Sequence, residues 1–104
     1  PGSMGTFSYV LAGDRRAEAR SFASTCHGAG RSMSRTRARK LMSGPDLRRQ
    51  LEGEGLVLAA GNWKLLSEEA PYAYKDATAV VETCQQVGLS RVVARLRPAG
   101  VLKG

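Results

Sequence analysis

Glycine and proline cut this chain into short pieces, and that punctuation restricts it to brief helices and strands joined by tight turns. The breaks fall at Gly13, at Gly28 and Gly30, at Gly44-Pro45, at Gly53 and Gly55, at Gly61, at Pro71, at Gly88 and at Pro98-Ala99-Gly100. Glycine reaches backbone conformations other residues avoid, and proline withholds an N–H, so both mark the ends of regular elements. Between the breaks, residues 6–12 alternate and are rich in β-formers, which predicts a strand. Gly13-Asp14-Arg15-Arg16 turns the chain, and 20–25 reads as a second strand. Residues 31–42 read as a helix, broken by Ser43-Gly44-Pro45, and Asp46 restarts a short one that Gly53 and Gly55 close. Residues 56–60 form a buried-strand candidate that 63–66 extend or fold back as a hairpin. Pro71 keeps 68–75 a loop. Asp76 caps a helix over 77–87 whose one face carries Ala77, Val80, Val81, Cys84 and Val87, and 91–97 alternate as a strand.

Helices and strands therefore interleave, predicting an α+β fold of mixed or antiparallel strands packed with two or three helices. At 104 residues the chain is a single segment, 1–104, of one domain at most. With 42% hydrophobic but only 6% aromatic residues, its core is aliphatic and modest. The helix 77–87 and the strands 6–12 and 91–97 have the most regular apolar faces and are expected to share that core. Cys84 belongs to it, because free cysteine is among the most buried residue types.

The only histidine lies in Ser24-Thr25-Cys26-His27-Gly28-Ala29-Gly30-Arg31. A helix that opens on Gly-Ala-Gly has free backbone N–H groups at its positive end, a setting that attracts anions. An imidazole beside such a site can be a nucleophile, a general acid or base, or a metal ligand, although a histidine before glycine is often a plain loop residue. The net charge is +7, and arginine supplies 12 of the 16 basic residues. That balance favours a polyanionic partner, with guanidiniums suited to bidentate phosphate contacts; the alternatives are a solvated basic face or one piece of a more balanced protein. Within a helix 31–42, Arg31, Arg35 and Arg39 fall at i, i+4 and i+8 on one face. Glu68-Glu69 reads as a solvated loop pair.

Several chemistries are excluded. One histidine cannot build a multi-histidine metal site, HExxH is absent, and no P-loop occurs. Cys26 and Cys84 form no CxxC pair, so neither zinc nor a disulfide framework is indicated, and reduced thiols fit a cytoplasmic protein. Cys26 is a poor nucleophile beside His27, since neighbours on an extended chain point to opposite faces. The first residues lack a basic and then apolar leader, and no stretch approaches the roughly 20 apolar residues of a membrane span.

Four separated blocks carry a resemblance. They are Pro1-Gly2-Ser3-Met4-Gly5-Thr6 with Ser8-Tyr9, the stretch from Ser24 to Arg31 with Met33-Ser34-Arg35, Glu69-Ala70-Pro71-Tyr72-Ala73-Tyr74-Lys75, and Leu96-Arg97-Pro98 with the final Lys103-Gly104. In this order they resemble the C-terminal segment of the RtcB-type RNA ligases, the tRNA-splicing 3′-phosphate/5′-hydroxyl ligases. The resemblance implies a GTP-dependent enzyme for tRNA splicing and RNA repair. It joins an RNA 3′-phosphate or 2′,3′-cyclic phosphate to a 5′-hydroxyl, with RNA and GTP as partners and an activating protein as a further one. By the same resemblance His27 is the nucleophile that carries GMP, and Ala29 and Gly30 lie against the guanylate. Ser8, Tyr74 and Lys103 hold the guanine, and Arg31 faces the RNA phosphate with Arg35 beside it. Without it, Tyr74 reads as loop packing and Lys103 as a disordered tail. The family's manganese ligands are implied to lie upstream, so no residue here is assigned to metal and the chain by itself is expected to be inactive. A non-catalytic basic module that binds RNA or nucleotide is the alternative.

Overall fold

A computed structural model describes all 104 residues, Pro1–Gly104. Four strands form two separate two-stranded sheets. Strand β1 (Ser8–Gly13) pairs antiparallel with β3 (Ser90–Leu96), in register from Ser8 opposite Leu96, with a one-residue shift between Val10 and Leu11. Strand β2 (Val57–Ala60) pairs parallel with β4 (Gly100–Lys103), placing Val57 opposite Gly100 and Ala60 opposite Lys103. The last residues are thus strand rather than tail. A parallel pair needs a long crossover, and here α4 (Ala77–Gln86) and β3 supply it. The fold is α+β, as its punctuation predicts, with four α-helices and two short 3-10 helices rather than two or three helices.

The residues expected as a second strand form α1 (Ala17–Ser21) and a left-handed turn instead. The reason is local. Asp14 accepts from the Arg16 backbone N–H at 2.9 Å and binds the Arg16 guanidinium, which starts a turn. Good helix formers follow. Ser21 Oγ then bonds back to the Ala17 carbonyl at 3.1 Å, and Phe22 and Ala23 take φ of 53° and 58°. Phe22 is left 96% exposed.

The helix expected over 31–42 begins later, as α2 (Arg35–Leu41), because the Ser34 hydroxyl accepts from Arg37 N and so caps it. Helix α3 (Gly44–Gly53) starts the same way, with Ser43 accepting from Asp46 N at 3.2 Å and Pro45 in its first turn. Gly44 is required there: a Cβ at this position would meet the Trp63 carbonyl oxygen at 1.7 Å. Residues 63–66 neither extend β2 nor form a hairpin. They belong to a 3-10 helix, Trp63–Glu69, which Asn62 caps by accepting from Lys64 N at 3.0 Å. A second, Pro71–Ala73, follows.

Helix α4 is capped by Asp76, which accepts from Thr78 N at 2.9 Å, and Gly88 (φ +74°) ends it. Val81 and Cys84 are buried, while Val87 lies past the last turn and is exposed. Helix α4 packs on the β1–β3 pair, and Tyr9 Oη meets Thr78 Oγ1 at 2.8 Å. The most deeply buried cluster lies elsewhere, however. Met4, Leu47, Leu51, Leu66 and Ala70 form it, flanked by Leu58, Ala60 and Val101 of the parallel sheet. Leu47 and Leu51 are one helical turn apart, so α3 turns a single apolar stripe onto this centre.

Candidate active site

A cavity of about 430 Å³ opens among four chain segments, one of them the N-terminal residues Pro1 to Thr6. The Gly28-Ala29-Gly30 turn forms one wall, Tyr74 to Ala77 another, and Lys103 at the end of β4 joins Glu69 on a third. Two backbone bonds clamp the first two walls together: Ser32 N donates to the Ala73 carbonyl and Lys75 N to the Gly30 carbonyl, both at 2.9 Å. Arg31 and Tyr74 consequently form an isolated antiparallel bridge. This bridge, with the Ser34 cap, is why the glycines do not open a helix. The helix end expected to attract anions is therefore absent here, but the donors themselves remain free. The N–H groups of Gly28, Ala29 and Gly30 donate to no protein acceptor, and Gly30 takes φ +77°, which favours glycine.

His27 is exposed beside this turn and lines a neighbouring cavity of about 190 Å³, together with Tyr9, Leu11 and Val80. Gly28 and Ala29 border both spaces. The loop is anchored from behind by Thr25 Oγ1, which donates to Ser90 Oγ at 3.0 Å. Burial pushes the Cys26 thiol up, and a thiol contact with Cys84 adds to that, so Cys26 stays protonated and a poor nucleophile. Of the residues the resemblance assigns to the nucleotide, Ala29, Gly30, Tyr74 and Lys103 share the larger cavity. Ser8 does not line it; its hydroxyl accepts from Gly2 N at 3.0 Å, and Gly2 does line it.

The arginines and Glu68-Glu69 form a knot that sequence reasoning missed. Arg35 and Arg39 on α2 reach Glu68 at 3.7 and 3.4 Å. Arg35 also reaches Glu69 at 3.6 Å. Arg31 lies outside the helix yet joins the same cluster. Its Nη1 donates to Tyr74 Oη at 3.0 Å and stands 3.4 Å from Glu69, while Nη2 donates to the Glu68 carbonyl and Nε to that of Met33. The guanidinium also lies over the Tyr74 ring, 4.8 Å from its centre. Tyr74 Oη donates in turn to Glu69 Oε2. Burial raises the Tyr74 phenol above its ordinary value, and the bond to Glu69 reinforces it. The carboxylates are therefore a half-buried centre rather than a solvated pair. The signal that could have found them is their place directly before Ala70-Pro71-Tyr72-Ala73-Tyr74, with three arginines at helical spacing elsewhere.

No three of the His, Cys, Asp and Glu residues come together as a metal site, and no helix is long and apolar enough to cross a membrane.

Comparison with known proteins bears on this arrangement directly. The family model described as tRNA-splicing ligase RtcB matches residues 1–104. The tRNA-splicing ligase RtcB of Methanopyrus kandleri is 48% identical over 104 residues, all of this chain and 10% of the relative. The RNA-splicing ligase RtcB homolog 1 of Entamoeba dispar is 50% identical over 103 residues, 99% of this chain and 19% of the relative. The Archaeoglobus fulgidus tRNA-splicing ligase RtcB is 49% identical, again over all of this chain and 22% of the relative. The chain thus spans between a tenth and a little over a fifth of the length of these relatives. Matched along its whole length at close to half identity, with the glycine turn, Tyr74 and Lys103 gathered around one cavity, the chain belongs to the RtcB family of tRNA-splicing ligases.

Proposed function

We propose that this chain is the guanylate-carrying, C-terminal segment of an RNA ligase. The observation that carries the reading is the shared cavity: unengaged N–H donors of Gly28, Ala29 and Gly30 on one wall, an aromatic ring and an ammonium from Tyr74 and Lys103 on the others. A nucleoside phosphate needs those two halves, donors for its phosphate and a planar, charged reader for its base. His27 directly precedes the glycine turn and lines the adjoining cavity that Gly28 and Ala29 also border.

The neutral His27 imidazole attacks the α-phosphorus of GTP, a P–N bond forms, and pyrophosphate leaves with the P–O bond pair. An RNA 3′-phosphate oxygen then attacks the same phosphorus and releases His27. Finally a 5′-hydroxyl attacks the RNA phosphate, loses its proton and displaces GMP. The glycine N–H groups hold the phosphate oxygens throughout. Tyr74 and Lys103 hold the guanine, with Ser8 supporting the Gly2 edge. Arg31 and Arg35 present positive charge to the incoming RNA phosphate. In the family resemblance manganese supplies Lewis-acid charge neutralisation. The residues of this chain do not fit such an ion, so its ligands belong to the remainder of a longer ligase, and this chain alone does not take up GMP. The unpaired thiols fit a cytoplasmic setting, and an activating protein fits as a further partner.

The test is labelling of the full-length ligase with GTP radioactive at the α-phosphate. Labelled protein in the wild type and none in His27→Ala are expected. Label that survives His27→Ala removes the nucleophile from this reading. RNA binding without any label in either protein favours a non-catalytic basic module instead.

A further inference from the structure

Glu69 belongs to no assigned role, yet more of the cavity converges on its carboxylate than on any other side chain. Its Oε2 accepts from Tyr74 Oη and lies 4.0 Å from Lys103 Nζ. Its Oε1 lies 3.4 Å from Arg31 and 3.6 Å from Arg35. Glu69 lines the cavity itself, between the two side chains read as holding the base. Its backbone is held as well: the Glu69 carbonyl accepts from Ser3 Oγ at 2.8 Å, and the next residue, Ala70, is fully buried.

The geometry points to Glu69 as the positioning residue of the base-reading wall. Tyr74 and Lys103 come from different parts of the fold, the bridge residue after the second 3-10 helix and the last residue of β4, and no backbone hydrogen bond joins them. One carboxylate ties both. A phenol and an ammonium left on flexible side chains would lose rotamer freedom at every binding event, and a pre-formed tether removes that cost. Charge supports the assignment. Four cations, Arg31, Arg35, Arg39 and Lys103, surround two carboxylates. The cluster therefore stays net positive toward an anionic ligand even with Glu69 in place, and Glu69 orders the wall without repelling the phosphate end.

This inference rests on the reading of Tyr74 and Lys103 as guanine contacts, and its test separates the two. In the full-length ligase, covalent nucleotide labelling, GMP from GTP and AMP from ATP, is measured against the concentration of each for Glu69→Ala, Glu69→Gln, Lys103→Ala and the Glu69→Ala/Lys103→Ala pair. Glu69→Ala should raise KM for GTP about tenfold, as loss of a charged hydrogen bond does. It should relax GTP over ATP selection and leave the labelling rate at saturating GTP within about threefold. Glu69→Gln keeps the acceptor for Tyr74 and loses the charge facing Lys103, so it should recover part of the KM and little of the selectivity. Because Glu69 acts in part through Lys103, the double variant should lose less selectivity than the product of the two single effects. Should Glu69→Ala not fold, Glu69→Gln, near-identical in size, is read against its own expectation, relaxed selectivity with a smaller rise in KM. Wild-type KM and selectivity in both Glu69 variants, or effects that multiply with Lys103→Ala, would overturn the positioning role alone. Unchanged selectivity in Lys103→Ala would overturn the guanine reading and the positioning role together.

Discussion

The loop that carries His27 and the knot that carries Tyr74 border the same cavity and follow opposite rules. In the loop, the Gly28, Ala29 and Gly30 N–H groups have no protein partner, and His27 is exposed. In the knot, Arg31 commits Nε and both terminal nitrogens, and Glu69 bonds or pairs with Tyr74, Arg31, Arg35 and Lys103. The centre of the knot is sheltered, with Glu68 only 18% and Glu69 29% exposed. A group that must exchange partners during a reaction is left free of internal ones, while a group that must hold still is satisfied internally. The contrast also divides the three arginines that sequence spacing treats as equals. Arg31 is 23% exposed and held by three carbonyl and hydroxyl oxygens, whereas Arg35 is 65% exposed and meets its carboxylates only at 3.6 to 3.7 Å.

The sharpest way to break this comparison is to remove each arginine in turn. Arg31→Ala leaves the Glu68 carbonyl, Tyr74 Oη and Glu69 short of a donor and should lower local stability by about 2–3 kcal/mol. Arg35→Ala removes an exposed ion pair and should cost less than about 1 kcal/mol. Hydrogen exchange at the Ser32 and Lys75 amides, which clamp the bridge beside Arg31, reads the difference; equal loss of protection in the two variants would erase the distinction. Arg31→Lys should behave like Arg31→Ala, since a single ammonium cannot span the same acceptors.

A smaller effect tests the loop. Gly30 has φ +77° and open space around a built Cβ, so Gly30→Ala meets backbone strain and no clash. It should destabilise by about 1–2 kcal/mol in denaturant unfolding. Gly28→Ala, with equal space and no positive φ, should be near neutral. A similar cost for both would mean that packing rather than conformation governs the turn.

The smallest effect concerns RNA. If Arg35 leaves Glu68 and Glu69 for a phosphate, Arg35→Ala should reduce the slope of log K against log salt for single-stranded RNA by about 0.7. An unchanged slope would place Arg35 permanently inside the knot with Arg31.

Local signals were legible where the responsible residues are neighbours in sequence. Asp76 and Gly88 bound α4 as the spacing predicts, and Val81 and Cys84 are buried as one helical face requires. The break expected at Ser43-Gly44-Pro45 does end α2 but is also the capped start of α3, two residues before Asp46. Alternation in 6–12 and 91–97 identified two strands that pair with each other. The failures were also local in origin. Residues 20–25 contain strand formers, but the Asp14 turn and the Ser21 back-bond begin and end a helix that takes Arg20 and Ser21. The expected helix start at Arg31 yielded to the Ser34 cap. In the site, the histidine and its glycines stand out because they are rare and adjacent. Glu69 does not, because a carboxylate in a loop has the same composition whether it faces water or three cations.

By itself the sequence determined the strands around 6–12, 56–60 and 91–97 and the helix from Ala77, the family through its four separated blocks, and the net positive charge, since each depends on residue order or count alone. Only the tertiary structure decided that Lys103 is a strand residue facing Glu69, that Arg31 is locked while Arg35 is open, and that Gly28 to Gly30 share a cavity with Tyr74. Those facts depend on pairings between segments tens of residues apart. The parallel register of β4 on β2 and the Arg31–Tyr74 bridge bring them together. Periodicity is blind to such contacts, because it records which face of an element is apolar and not which distant segment will cover it.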